Sequence, residues 1–133
     1  MDNEEREQIF NDYFVDLKNK NLYVSAIIDN SELLGFMILN CNPIGKGSEY
    51  IELKMFHVSQ QYRNKGIGKL LFDDAKRKAN ELNIPKLYLS AHSAYETQKF
   101  YESLGCIDAI WKYLKAVELE PWDIQMEYSV RNS

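Results

Sequence analysis

A glycine-bearing turn, Arg63-Asn64-Lys65-Gly66-Ile67-Gly68-Lys69, stands between an extended segment and an amphipathic helix, and it constrains this chain more than any other feature. The segment before it, Tyr50 to Val58, is rich in β-formers. Beyond it Leu70, Leu71, Ala75, Lys78, Ala79 and Leu82 keep a helical period as far as Asn83 and Pro85. A helix that starts at such a turn offers unpaired N–H groups and the positive end of its dipole, and glycines let an anion approach the backbone closely. The turn is therefore a candidate phosphate-binding loop. A Walker loop requires Gly five residues before the Gly-Lys pair and Ser or Thr after it; Arg63 and Leu70 occupy those places. A dinucleotide fingerprint requires Gly or Ala three residues past the second Gly, where Leu71 stands.

The rest of the chain supplies the frame. From Glu4 to Lys18, Ile9, Phe10, Tyr13, Phe14 and Leu17 form the stripe of an amphipathic helix with an acidic first turn. Leu22 to Ile28 and Leu33 to Leu39 read as a hairpin across Asp29-Asn30-Ser31-Glu32, and Asn42 to Ser48 as a loop. Regular alternation over Tyr50 to Val58 would put Tyr50, Glu52, Lys54, Phe56 and Val58 on one face, mixing charge with apolar groups. Either the strand edges a cleft or a bulge switches its faces midway. Lys86 to Ser90 is a short strand. Ser93 is expected to cap a second helix running to Leu104, with Glu96 in the capping-box position and Gly105 as the stop. Cys106 to Trp111 and Ile124 to Val130 read as final strands joined irregularly through Glu118 to Pro121. This order implies a single domain over residues 1–133 of α/β (α+β) class, with one mixed, mostly antiparallel sheet flanked by helices.

Composition narrows the partners. A hydrophobic share of 45% with 13% aromatics suffices for a core, and a formal net charge of −4 argues against a nucleic-acid footprint while suiting a cationic small acceptor. The longest apolar run, Leu33 to Leu39, is far shorter than the ~20 residues that span a bilayer. The acidic start Met1 to Glu5 is the opposite of a signal peptide. A cytoplasmic protein with no membrane partner is expected. Cys41 and Cys106 form no CxxC pair and His57 and His92 stand alone, so no metal site is expected.

The R-x-x-G-x-G pattern of Arg63 to Gly68, directly after a strand, resembles the acetyl-CoA pyrophosphate loop of the GNAT superfamily of N-acetyltransferases. Phe100-Tyr101-Glu102-Ser103-Leu104-Gly105-Cys106 is similar to that family's F/L-Y-x-x-x-G-F segment. The likeness covers Glu49 to Cys106 well and the last two strands loosely. It implies a sheet in which two central strands splay apart and acetyl-CoA as cosubstrate. The pantetheine arm would bond to the backbone of Phe56, His57 and Val58. The pyrophosphate would lie on the amides about Arg63, Asn64, Lys65, Gly66, Ile67 and Gly68, with Lys69 adding charge. Ser93 stands where many members carry a pantetheine-binding Asn. By the same resemblance Glu52, eleven residues before Arg63, is the candidate base, the Val58 N–H the oxyanion donor, and Tyr101 the general acid that protonates the leaving thiolate. The residues allow plainer readings too: Glu52 as an ion-pair partner of Lys54, Tyr101 as a core aromatic. Cys106 replaces the usual aromatic and reads as a small apolar filler.

The implied activity is transfer of an acetyl group from acetyl-CoA to a primary amine of a small molecule or peptide. The competing reading is a catalytically inactive CoA-binding or interaction module. Members of the family usually open with a strand and one or two helices, whereas this chain shows a single helix before its hairpin. A shortened N-terminus implies completion by a second subunit in a homodimer, or an open acceptor site. Trp111-Lys112-Tyr113 and Pro121-Trp122 are available to wall an acceptor pocket, a dimer face or the core.

Overall fold

The computed structural model describes residues 22–132; the expected helix over Glu4 to Lys18 and the question of a first strand lie outside them. β1 (Leu22–Asp29) and β2 (Glu32–Ile44) form the expected hairpin. Its two central residues, Asn30 and Ser31, have φ of 50° and 64°, the double left-handed turn that matches strand twist. β2 runs on through Asn42-Pro43-Ile44, the first part of the Asn42 to Ser48 stretch that the sequence marks as loop. Cys41, Asn42 and Pro43 sit in a register break between Asn40 and Ile44, so the chain bulges without leaving the sheet.

β3 (Tyr50–Val58) leads through a 3-10 turn at Gln60–Tyr62 into α1 (Ile67–Glu81), then β4 (Lys86–Ala91), α2 (Tyr95–Ser103), β5 (Ile107–Asp108), α3 (Leu114–Leu119) and β6 (Ile124–Ser129). The six strands lie in the order β1-β2-β3-β4-β6-β5, and every neighbouring pair is antiparallel except β3 with β4. The mixed, mostly antiparallel sheet flanked by helices is thus present. The strand expected over Cys106 to Trp111 shrinks to two residues. The following stretch instead forms α3, because Ala116 finds a buried seat on Tyr50 and Tyr88.

The faulty alternation of β3 resolves into a bulge. Ile38 pairs with Met55 and Leu39 with Leu53, leaving Lys54 unmatched. Before it, Ile51 and Leu53 face α1; after it, Phe56 does. The near face of the sheet therefore gathers Met37, Leu39, Ile51, Leu53, Leu87, Leu89, Met126 and Tyr128 beneath Leu71, Phe72, Ala75 and Ala79 of α1. Phe72, rather than Leu70 or Leu82, completes the buried stripe of that helix, and both leucines are exposed. The far face carries Tyr50 and Tyr88 under Ala109, Trp111, Tyr113 and Ala116, with Phe36 and Ile38 in a second cluster toward β1.

Candidate active site

Parallel strands need a helical crossover, and α1 supplies it between β3 and β4. Their ladder covers only Tyr50–Leu53 against Lys86–Leu89, yet β3 continues to Val58 and β4 to Ala91. The bulge at Lys54 is where pairing stops. From there a slot opens between the two strands, while β3 stays bonded to β2 and β4 to β6.

Backbone alternation fixes what faces that slot. The Ser59 N–H donates to the Leu34 carbonyl at 2.9 Å, so this pair is the hydrogen-bonded one, and the next pair, Gly35 with Val58, is not. Counting back along β3, the backbone groups of Val58 and Phe56 point away from β2 into the slot, while those of His57 are turned to β2. The Arg63 Nε, donating to the Val58 carbonyl at 3.4 Å, agrees with that outward direction. Of the three residues expected to offer backbone to a pantetheine arm, two therefore face the slot and His57 does not. The His57 ring instead lies beside Phe36 on the far face, centroids 5.7 Å apart.

At the mouth of the slot, Gly66 is the N-cap of α1 with φ of 83°, the left-handed conformation glycine adopts without strain. A Cβ there would meet nothing within 4 Å. Leu70 makes the first helical bond, to the Gly66 carbonyl, and among the described residues no protein acceptor takes the N–H groups of Asn64 to Lys69. Six adjacent donors without partners, at the positive end of a fifteen-residue helix, form a cradle for an anion. A cavity of about 380 Å³ runs from this turn along Asn64, Gly66, Gly68 and Lys69 to Phe100 and Ser103 of α2 and to Leu104, with Asp73 and Lys76, paired with each other at 3.2 Å, also on its wall. Gly68 is indispensable to the join: its Cβ would lie 2.7 Å from the Phe100 Cζ. Lys65 sits over the Tyr62 ring at 5.9 Å, and Arg63 and Lys69 are exposed.

α2 begins differently from the expectation. Its N-cap is Ala94, and no side chain caps it. The His92 ring accepts the Ala94 N–H through Nδ1 at 3.0 Å, and the Gln98 amide donates to the His92 carbonyl at 2.8 Å; these bonds displace the capping box of Ser93 and Glu96. Ser93 is left exposed. Further along, Tyr101 is 8% exposed and packs edge-on against Phe56 and Phe100, at 6.0 and 5.2 Å between centroids. It is both a core aromatic and a group beside the slot. Burial raises its phenol above the usual range, so the proton stays on oxygen at neutral pH. Cys106 beside it is buried, its thiol pushed up to about 12 by burial, which fits a filler.

Glu52 occupies the far face, paired across the ladder with Tyr88. Burial raises its carboxyl above the ordinary value, and the positive charges of Lys54 and Lys115 draw it part of the way back. Glu52 and Tyr101 are thus set on opposite faces of β3, flanking the slot rather than touching. A polar network unforeseen from sequence underlies this face. The Tyr88 hydroxyl donates to the Gln125 side-chain Oε1 and accepts the Tyr113 N–H at 2.8 Å, while the Gln125 Nε2 donates to the Ser90 Oγ at 2.9 Å. Glu127, 1% exposed, accepts from the Tyr50 hydroxyl at 2.8 Å and the Ile110 N–H at 2.9 Å and pairs with Lys86 at 3.1 Å. Gln125 and Glu127 alternating with Met126 and Tyr128 were the only clue in the sequence. Trp111 stacks between Tyr50 and Tyr113 at 5.5 and 5.7 Å, whereas Trp122 is 86% exposed. Among the described residues no group of side chains could hold a metal, and no helix is long and apolar enough to cross a membrane.

A parallel pair that parts midway beside an anion cradle leaves main-chain groups open to a long, phosphorylated ligand. The chain belongs to the acetyltransferase (GNAT) family, whose model matches residues 1–106. Among solved structures it is similar to the PaiA N-acetyltransferase of Thermoplasma acidophilum in complex with coenzyme A, at 22% identity over 92% of this chain and 70% of that one, with a TM-score of 0.71. A GNAT-family acetyltransferase of Staphylococcus aureus is 21% identical over 98% of this chain and 80% of its own, TM-score 0.68. One from Elizabethkingia anophelis with acetyl-CoA bound is 19% identical over 87% and 81%, TM-score 0.61. Identities of this size speak for the fold. The cosubstrate carried by the last of these is the one expected from the sequence. No curated protein matches the chain by sequence.

Proposed function

We propose that the protein is an acetyl-CoA-dependent N-acetyltransferase acting on a primary amine. The observation that carries this reading is the opening of β3 from β4 at Lys54, directly beside the bare amides of Asn64 to Lys69. The residues present fit the cosubstrate: the amides of the Gly66 turn hold its diphosphate, Lys69 offsets its charge, and the Phe56 and Val58 backbone lines the pantetheine arm. Bound there, acetyl-CoA supplies an activated thioester.

The chain's own groups divide the remaining work. Glu52 takes the proton from the ammonium form of the acceptor, directly or through water, and so frees the nitrogen lone pair to form the C–N bond. The Val58 N–H donates to the carbonyl oxygen as charge builds on it. Tyr101 gives its proton to the sulfur as the C–S bond breaks, yielding amide and thiol. Ser93, exposed at the start of α2, is assigned a lesser contact to the pantetheine arm. Nitrogen thus sheds two protons as it takes the acetyl group from sulfur: the first leaves to solvent through Glu52, the second, lost once the C–N bond has formed, replaces the one Tyr101 gave to sulfur, and no redox partner is required.

The test is release of free thiol from acetyl-CoA with a panel of primary amines, with the acetylated amine identified by mass. Amine-dependent thiol release supports the reading. Tight CoA binding with no transfer to any amine would leave a CoA-binding module in its place.

A further inference from the structure

The charge that surrounds Glu52 is opposite to the charge of the protein as a whole. Despite a net charge of −4, the two charged groups that act on its carboxylate, Lys54 on the same strand and Lys115 on α3, are both positive. Lys115 is carried there by a pinned segment. At one end the Ile110 N–H is held by the buried Glu127 carboxylate at 2.9 Å; in the middle the Tyr113 N–H is held by the Tyr88 hydroxyl at 2.8 Å; at the other end Ala116 is buried on Tyr50 and Tyr88. Tyr88 is the ladder partner of Glu52, so the chain from Tyr113 to Ala116 is fastened directly onto the neighbour of the candidate base. Lys112 and Lys115 are exposed, and among the described residues neither has an ion-pair partner.

A carboxylate with cations beside it makes a site with two poles. An ammonium is drawn to Glu52, and a negative group on the same molecule to Lys115; a polycation gains the first attraction and suffers repulsion from the second. We propose that the acceptor is a small amine that also carries a carboxylate or phosphate, and that Lys115 selects it by pairing with that anion at the mouth of the Glu52 site. This deepens the N-acetyltransferase reading and rests on it. It also replaces the cationic acceptor that overall charge suggests.

The experiment compares kcat/KM within matched pairs: β-alanine against β-alaninamide, phosphoethanolamine against ethanolamine, with spermidine as the polycation. The anionic member of at least one pair is expected to be the better substrate by roughly tenfold, and spermidine the poorest. The pair with the larger ratio tells carboxylate from phosphate. Lys115→Glu reverses the order within that pair, and Lys115→Arg keeps it; a merely structural role for Lys115 would move neither ratio. Acetylation of amines with no preference for the anionic member, or a preference that Lys115→Glu leaves in place, overturns the inference alone. Acetyl-CoA binding with no amine acetylated in any class overturns the transfer reading and this inference with it.

Discussion

Gly68→Ala separates the two duties of the Gly66 turn, packing and anion binding. The added Cβ would lie 2.7 Å from the Phe100 Cζ and 3.0 Å from its Cε1, closer than real side chains tolerate. The ring cannot swing away freely, since it packs on Phe56 at 5.7 Å and on Tyr101 at 5.2 Å between centroids. Overpacking of this kind costs about 1–3 kcal/mol, and replacing a helical glycine by alanine returns at most about 1 kcal/mol. The net loss is thus about 1–2 kcal/mol, a fall in Tm of roughly 5 °C. Phe100 also lines the cavity that begins at Gly68, so its displacement crowds the diphosphate. Loss of one amide bond to a charged oxygen, about 1.5 kcal/mol, raises the Kd for CoA about tenfold. Gly66→Ala is the control: its Cβ meets nothing, and only the left-handed backbone at φ 83° is strained, for about 1–2 kcal/mol. Thermal melts and calorimetric titration with CoA read both effects. Wild-type Tm and wild-type affinity in Gly68→Ala would refute the packing of Phe100 on α1 and the use of this cavity together.

Tyr101→Phe removes the proposed proton donor without emptying its seat, and kcat is expected to fall about a hundredfold with little change in the KM for acetyl-CoA; equal turnover takes Tyr101 out of the reaction. Glu52→Gln is expected to abolish the acid limb of the pH–rate profile, which in the wild type lies above the ordinary carboxylate range because burial raises the Glu52 carboxyl. The folded state then holds that proton more tightly than the unfolded one, so ionised Glu52 weakens the fold as pH rises through this window. Glu52→Gln should accordingly melt no lower than wild type at neutral pH, and a lower melting point would contradict the assigned burial. Glu127→Ala leaves Lys86, the Tyr50 hydroxyl and the Ile110 N–H without their acceptor and should cost about 3–5 kcal/mol. Burial raises the Glu127 carboxyl, but its bonds from Ile110, Tyr50 and Lys86 prevail and hold it below the usual range. The gap between wild type and variant is therefore present at neutral pH and narrows as pH falls through that lowered value, which melts across about pH 2 to about pH 7 would show.

Local signals carried much of this fold. Asp29-Asn30-Ser31-Glu32 announces a hairpin because Asn and Ser accept positive φ, and the clash of Glu52 and Lys54 with Phe56 and Val58 on one face announces the bulge that later opens the slot. The cradle was legible for the same reason: helix start, glycine and cation are all local. What failed was decided at a distance. α3 is short, with Leu114 and Leu119 exposed, and it exists because Ala116 meets Tyr50 and Tyr88 from other strands. The N-cap of α2 moved from Ser93 to Ala94, whose own N–H is held by the His92 ring two residues upstream, a contact no capping pattern announces. The pinning of Ile110 by Glu127 left no more than an alternation of polar and apolar residues along β6, since nothing local says that the polar face is covered. His57 shows the limit most simply: its neighbours Phe56 and Val58 turn to the slot, and hydrogen-bond parity with β2 alone excludes it.

The central claim is that the amides from Asn64 to Lys69 grip a diphosphate and so lay a thioester between β3 and β4. Amide chemical-shift mapping during titration with CoA tests it without any mutation. The account predicts that the largest movements fall on Asn64 to Lys69, with a second group on Phe56 and Val58 and little change on His57. Saturable binding that leaves the Gly66 turn unmoved, with shifts gathered elsewhere, would contradict it.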